Sequence, residues 1–306
     1  MRIVWLFAAV LTVGALSGCG GGGSSSSGGT TSSSTHLFVS SVGGHSIDRF
    51  NNITGASAVT YTASAGVSPA QVFVDSTGRI YFADSANNQI IRINDIAGDG
   101  LVSLSAAGGN SLSSPTGVYV DSTDHIFIAD KGNNRVVEVD DMTGTGWTSL
   151  GGTSAGSGAD QFDGPSSIIA DTSGKLYITD SGNNRLVKMN DITGAGWTTF
   201  GTIGSGVDQF QGPLGVYVDA SGHIFVTDTN NRLAEFDDMT GTGWETFGAT
   251  GSGVDDFNTP LAVCGDSAGN IYVADSGNNR VVSITNIAGA GWTTLTVSGA
   301  SGVIVR

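Results

Sequence analysis

Ten aspartates fall into two series of five: Asp75, Asp121, Asp171, Asp219 and Asp266, then Asp84, Asp130, Asp180, Asp228 and Asp275. Carboxylates that converge can work as an acid–base pair or hold a cation. Each of these, however, occupies the same place in a repeated phrase. The first series opens a short turn, as in Asp171-Thr172-Ser173-Gly174, and the second ends an apolar run just before Asn-Asn-Arg or its variants. Catalysis needs a carboxylate once or twice, whereas five copies are what a structural requirement predicts. A turn aspartate accepts backbone N–H groups, and the second series can form charge-assisted bonds with Arg135, Arg185, Arg232 and Arg280. No stretch has the Asp-x-Asn/Asp-x-Asn/Asp-Gly spacing of a calcium loop.

The other reactive side chains thin out in the same way. Trp147, Trp197, Trp244 and Trp292 could stack on a sugar, but each follows Gly-x-Gly at an equivalent place, which suits a packing anchor. Leu101 and Ala58 stand at that place in two further copies. Cys264 aligns with Phe73, Tyr119, Ile169 and Tyr217 and reads as a small buried hydrophobe. His125 and His223 share one turn position, and His36 adjoins a polar tract. His45 stands alone in Val42-Gly43-Gly44-His45, and one histidine does not make a metal-assisted site. Gly-Ser-Gly at 156–158, 204–206 and 251–253 has no lysine or helix after it, so it is loop punctuation. No catalytic triad, phosphate loop or nucleotide fingerprint is present, and no cofactor is expected.

The elements that carry these residues form one repeated unit. Each runs from a proline through an apolar strand ending in Asp, a turn, a second strand ending in Asp, and an Asn-Asn turn. The prolines Pro69, Pro115, Pro165, Pro213 and Pro260 are 46, 50, 48 and 47 residues apart. A second signature, Asp/Asn-Ile/Met-Thr/Ala-Gly, starts at Asn52, Asp95, Asp141, Asp191, Asp238 and Asn286, and so counts six units. The unit that lacks a first strand is the one at the N-terminus. Leu37 to Ser41 matches a second strand, while Ser301-Gly302-Val303-Ile304-Val305 matches the missing first strand. Both ends therefore belong to one unit, which is the signature of a ring rather than an open array. Six units over 36–306 come to about 45 residues each, the length of a four-stranded propeller blade. In blade four the four strands are expected at 167–170, 175–179, 185–190 and 197–200. The first two are apolar at successive positions, as when both faces are covered. The fold expected is all-β, a six-bladed propeller of antiparallel blades with no helix after the N-terminal segment.

Composition bounds the partners. Twelve Lys+Arg stand against 27 Asp+Glu, a net charge of −15, which argues against binding nucleic-acid phosphates. Met1-Arg2 and the 14-residue apolar run from Ile3 to Leu16 read as a signal peptide, too short for a comfortable membrane span. Leu16-Ser17-Gly18-Cys19 resembles the lipobox of bacterial lipoproteins, which implies cleavage after Gly18 and lipid on Cys19. In such proteins Gly20 after the cysteine implies sorting to an outer membrane. Ordinary secretion with an incidental Cys19 is the alternative. Residues 20–35 are only Gly, Ser and Thr, a flexible tether. The chain thus divides into a leader (1–18), a lipidated tether (19–35) and a propeller (36–306), expected to be monomeric and outside the cytoplasm.

Pro115 to Val136 carries nearly all of the phrase Pro-x-Gly-Val-x-Val-Asp-x-x-Gly-x-Ile-x-Ile-Ala-Asp-x-Gly-Asn-Asn-Arg-Val, which resembles the NHL repeat. The resemblance covers the chain from about His36 onward and implies a propeller. Similar propellers serve as protein-binding platforms, RNA readers, sensor domains and a few lyases. The resemblance also implies a top face shared by the blade connections and the second-to-third strand turns. Departures from the repeat there are the candidate binding residues: His45, Gln89 in place of Arg, Lys131 in place of Ser, and Asn230 in a shortened turn. Asp160, Asp208 and Asp255 of the connections join them, each followed two residues later by a phenylalanine expected to point inward. Together they suggest a polar, acidic surface for a protein or saccharide partner; neutral drift on a solvated face is the competing reading. A metal-assisted lyase or hydrolase at the central channel is the alternative function. That reading expects stoichiometric metal in the purified domain, and elemental analysis finding less would remove it.

Overall fold

The computed structural model describes residues 35–306; the leader and nearly all of the tether, Cys19 included, lie outside them. The sheets have two apolar faces, and that dictates how they assemble. The second strands, Leu37–Ser41, Ile80–Asp84, Ile126–Asp130, Leu176–Asp180, Ile224–Asp228 and Ile271–Asp275, are buried at every position. A strand buried on both faces needs a neighbouring sheet on each side. Six four-stranded antiparallel sheets supply those neighbours to one another, a six-bladed propeller as the repeat implied.

The ring closes where the termini meet. Ala300–Val305 pairs with Leu37–Ser41 in the register Leu37↔Val305, Phe38↔Ile304 and Val39↔Val303. His36 and Arg306 exchange backbone bonds of 2.6 and 2.8 Å. Ala300–Val305 is thereby the inner strand of blade one, whose outer three strands come from the other end of the chain. This inner strand is buried along its whole length, packed between the inner strands Pro69–Val74 of blade two and Pro260–Gly265 of blade six.

Inner strands approach one another closely at glycines. A Cβ on Gly215 would fall 2.8 Å from the Cα of Ala262, and one on Gly302 would fall 2.8 Å from Ala70 O, so only hydrogen fits there. The outermost strands are shorter than expected. In blade four the strand is Thr198–Phe200, because Trp197 N–H bonds back to Gly194 O at 3.2 Å and completes the turn before the ladder starts. No α-helix occurs among the described residues. The Lys131–Asn133, Ser181–Asn183 and Ser276–Asn278 turns are single 3-10 turns, each ending in an asparagine of left-handed φ. No helix among the described residues is long and apolar enough to cross a membrane.

Truncation after Gly299 tests the closure. It removes Val303, Ile304 and Val305 from the core, a loss of roughly 5 kcal/mol at about 1.5 kcal/mol or more per side chain, and bares the edge of Leu37–Ser41. Calorimetry is expected to show a large fall in Tm, with self-association on gel filtration; an unchanged melt would contradict closure.

Candidate functional site

The residue after each repeat proline, with its counterpart at the closure, is at the mouth of the central channel. Ala70, Thr116, Ser166, Leu214, Leu261 and Ser301, one from each blade, line a cavity of about 150 Å³ together with Val42, Gln71, Lys131, Ser167 and Ala262. Inner strands start at this end, so the first side chain of each one rims the opening. The rim is uneven. Leu214 and Leu261 of blades five and six, with Val42 of blade one, make one wall apolar, while Thr116, Lys131 and Ser166 of blades three and four make the other polar.

One step further along, the side chain of Gln71 bridges the inner strands of the next two blades. Its Nε2 donates to Ser167 Oγ of blade four at 3.2 Å, and its Oε1 accepts from Val118 N–H of blade three at 3.2 Å. Hydroxyls stitch the seams between blades: Ser40 Oγ to Ala70 O (2.6 Å), Thr116 Oγ1 to Ser166 O (2.9 Å), Thr179 Oγ1 to Leu214 O (2.8 Å) and Ser301 Oγ to Pro69 O (2.6 Å). The polar groups of the inner ring thus have partners, and they hold the rim in place.

Lys131 breaks this pattern. Its counterpart Ser181 donates to Pro213 O of the next blade. Lys131 has no such bond and, among the described residues, no carboxylate at ion-pair distance. Its stem lies by Gly164, where an added Cβ would sit 3.6 Å from Lys131 Cε, and it is half-buried.

The second aspartate series is structural. Asp180, wholly buried, accepts from Asp163 N–H (2.7 Å), Asn183 Nδ2 (2.8 Å) and Arg185 Nε (2.8 Å). Asp130 and Asp275 repeat the set with Arg135 and Arg280, both at 2.7 Å, and Asp228 pairs with Arg232 at 3.2 Å. Each arginine also donates to carbonyls of the connection leading into its blade and lies over the blade's tryptophan ring, at 5.2–5.7 Å. The tryptophans are anchors, as expected. Phe162, Phe210 and Phe257 are wholly buried and pack on Trp197, Trp244 and Trp292 at 5.1, 5.3 and 5.8 Å. Burial pushes the Asp180 carboxyl above its ordinary value, against the pull of Asn183, the Asp163 N–H and Arg185.

The expected rim residues do not form one surface. Gln89 is in the brace, donating to Asp84 Oδ2 at 2.8 Å where blades three to six have arginine. Asn230 donates to Asp228 Oδ2 (3.1 Å) and Gly204 O (2.9 Å). His45 takes the place of the second turn asparagine. In the other blades that asparagine accepts from the next connection, as Asn134 Oδ1 does from Gly164 N–H at 2.9 Å; His45 Nδ1 instead meets Val67 O of blade two's connection at 2.5 Å. Asp160 and Asp208 are exposed and lie against Gly194 and Gly241, and Asp255 lies near Gly289. Those glycines are in the third-to-fourth strand turns, at the end opposite the Asn-Asn turns. Lys131 alone of the seven candidates lines the cavity. Missed were the post-proline residues and Gln71. Their signal was variation, from Ala to Thr, Ser and Leu, directly before strands that hardly vary.

At the opposite end, His223 Nδ1 meets Asp219 Oδ2 at 2.9 Å, and this bond holds the imidazolium above its usual pKa of 6.5. His125 stands likewise 3.3 Å from Asp121. Among the described residues no group of three or more His, Cys, Asp or Glu side chains is placed to hold a metal.

A family model of the NHL repeat matches residues 112–138, 210–232 and 257–282. Three segments of the chain thus match the NHL repeat. The matched spans end in the third strands of blades three, five and six, so each takes in the Asp–Asn–Arg brace. No curated protein matches the chain. Among solved structures, the nidogen/laminin complex aligns with a TM-score of 0.70 at 20% identity, over 89% of this chain and 98% of that one. A protein of unknown function from Bacteroides caccae aligns at 0.65 and 15% identity, over 89% and 99%. Virginiamycin B lyase from Staphylococcus aureus aligns at 0.59 and 16% identity, over 89% and 86%. At such identities these likenesses show the propeller fold alone.

Two measurements check this propeller's wiring. Asp180→Ala leaves the Arg185 guanidinium, 11% exposed, without its carboxylate and is expected to cost about 3–5 kcal/mol in denaturant unfolding. Because the His223 pKa is raised on folding, its stabilising contribution is complete below pH 6.5 and is lost as pH rises through the folded value. NMR titration is expected to place the His223 midpoint above 6.5, and Asp219→Asn to lower it.

Proposed function

We propose that this NHL propeller is a binding module whose contact surface is the channel mouth ringed by Thr116, Ser166, Leu214, Leu261 and Lys131. The NHL propeller fold supports a binding or scaffold role in general, and the mouth is where this chain departs from its own repeat. One observation carries the reading: an unpaired, half-buried ammonium at the position from which Ser181 of blade four bonds to Pro213 O of the next blade. A cavity with an apolar wall and a few placed polar groups is the ordinary form of a ligand site. The partner is a protein or saccharide outside the cytoplasm, reached from a membrane to which Cys19 is lipid-linked. A tether of sixteen residues gives a root-mean-square reach of roughly 20–25 Å, enough for the mouth to turn toward partners in several orientations.

A photoreactive side chain placed at Thr116, at the mouth, is expected to give a discrete adduct in intact cells; one placed at Ser173, in the opposite turn, is expected to give none. Equal labelling from both positions would sink the assignment. Cys19→Ser is expected to release the protein from the membrane fraction and to abolish labelling by a fatty-acid analogue.

A further inference from the structure

We propose that the channel mouth takes a carboxylate attached to a short branched aliphatic group, the chemistry of an acylated branched-chain amino acid or of the last residue of a peptide. This rests on the mouth being the binding site and adds what it binds.

The cation comes first. The chain carries 12 Lys+Arg against 27 Asp+Glu, and five of the arginines are tied to aspartates. Lys131 is the only charged residue among those that line the cavity. An ammonium partly withdrawn from water without a counter-charge favours an anion that can take up its N–H groups. A single ammonium in a strongly acidic protein suits one negative charge. A phosphate would call for more donors, of the forked kind that arginine supplies, and no arginine lines the cavity.

The rest of the ligand follows from the facing wall and the size. Leu214, Leu261 and Val42 present aliphatic surface across from Lys131, with no aromatic ring for a sugar face to stack on. Burying a branched aliphatic group against them is favourable in proportion to the area covered. A volume of about 150 Å³ equals that of an engineered cavity which holds one benzene, so roughly six to nine heavy atoms fit. A carboxylate and one leucine-sized side chain meet that limit. Gln71, held to Ser167 and Val118, is a fixed part of the lining, and a space of this size takes the end of a ligand. Chain ends and small acids fit it; the middle of a polymer does not.

Calorimetric titration of the full chain in detergent tests this with N-acetyl-L-leucine, N-acetyl-L-leucinamide, and a Gly-Ser-Gly-Ser-Leu peptide as free acid and as amide. Each acid is expected to bind at least about tenfold more tightly than its amide, a difference of about 1.4 kcal/mol. Lys131→Met is expected to erase that preference and Lys131→Arg to restore it, with melting temperatures showing that both variants fold. Leu214→Ser is expected to weaken acid and amide alike. A peptide acid that outbinds N-acetyl-L-leucine tenfold identifies a chain end as the source, and equal affinities identify a free acid; either supports the carboxylate. Equal binding of acid and amide, a preference that survives Lys131→Met, or no binding of any probe at millimolar concentration overturns it. Those failures leave the mouth as a binding surface, which the crosslinking comparison of Thr116 and Ser173 decides separately.

Discussion

A four-stranded sheet whose second strand is apolar on both faces cannot end an array. Every blade here has that property, from Leu37–Ser41 to Ile271–Asp275, so each must be covered twice. A solenoid would need polar caps, and this chain has none among its described units. It uses a ring, in which the first and last blades cover one another. Pairing Ala300–Val305 with Leu37–Ser41 satisfies the constraint with backbone bonds as well as apolar burial, and it leaves no open sheet edge at the seam.

Closure by apolar faces would leave the sheets free to slide, and the polar wiring opposes that. Each aspartate of the second series accepts hydrogen bonds within its blade from asparagine and from arginine or glutamine, while its backbone N–H donor comes from the incoming connection. A carboxylate removed from water is tolerated only when its lone pairs are fully used, and the repeat provides this four or five times over. The second turn asparagine then reaches the next connection, and His45 does the same job with a ring nitrogen. His45, Gln89 and Asn230 therefore vary the wiring without leaving it. Lys131 leaves it: the side chain makes no bond of the kind Ser181 makes to the next blade and stands in the channel mouth, which is why function is sought there.

Much of this was legible in the residues. The phrase ending in Asn-Asn-Arg recurs because each copy must bind the same connection, so its period reports the blade count. The tryptophans read correctly as anchors because an aromatic at an equivalent place in four blades meets the same arginine four times. The placement of the connection aspartates was not legible in the same way. Asp160, Asp208 and Asp255 stand in connections, but connections are long enough to run down the outer edge, and no local pattern tells how far. Trp197 was assigned to the strand since it adjoins a β-prone run, whereas its N–H closes the preceding turn.

By itself the sequence determined the blade, the count of six and the circular joining of the ends, since these follow from repetition and from apolar periodicity, which are local. Only the tertiary structure decided which residues share the channel mouth. Thr116, Ser166, Leu214 and Lys131 are spread over almost a hundred positions, and they meet because inner strands start at one end around a common axis. Their convergence depends on the closed ring as a whole, and no single repeat contains it.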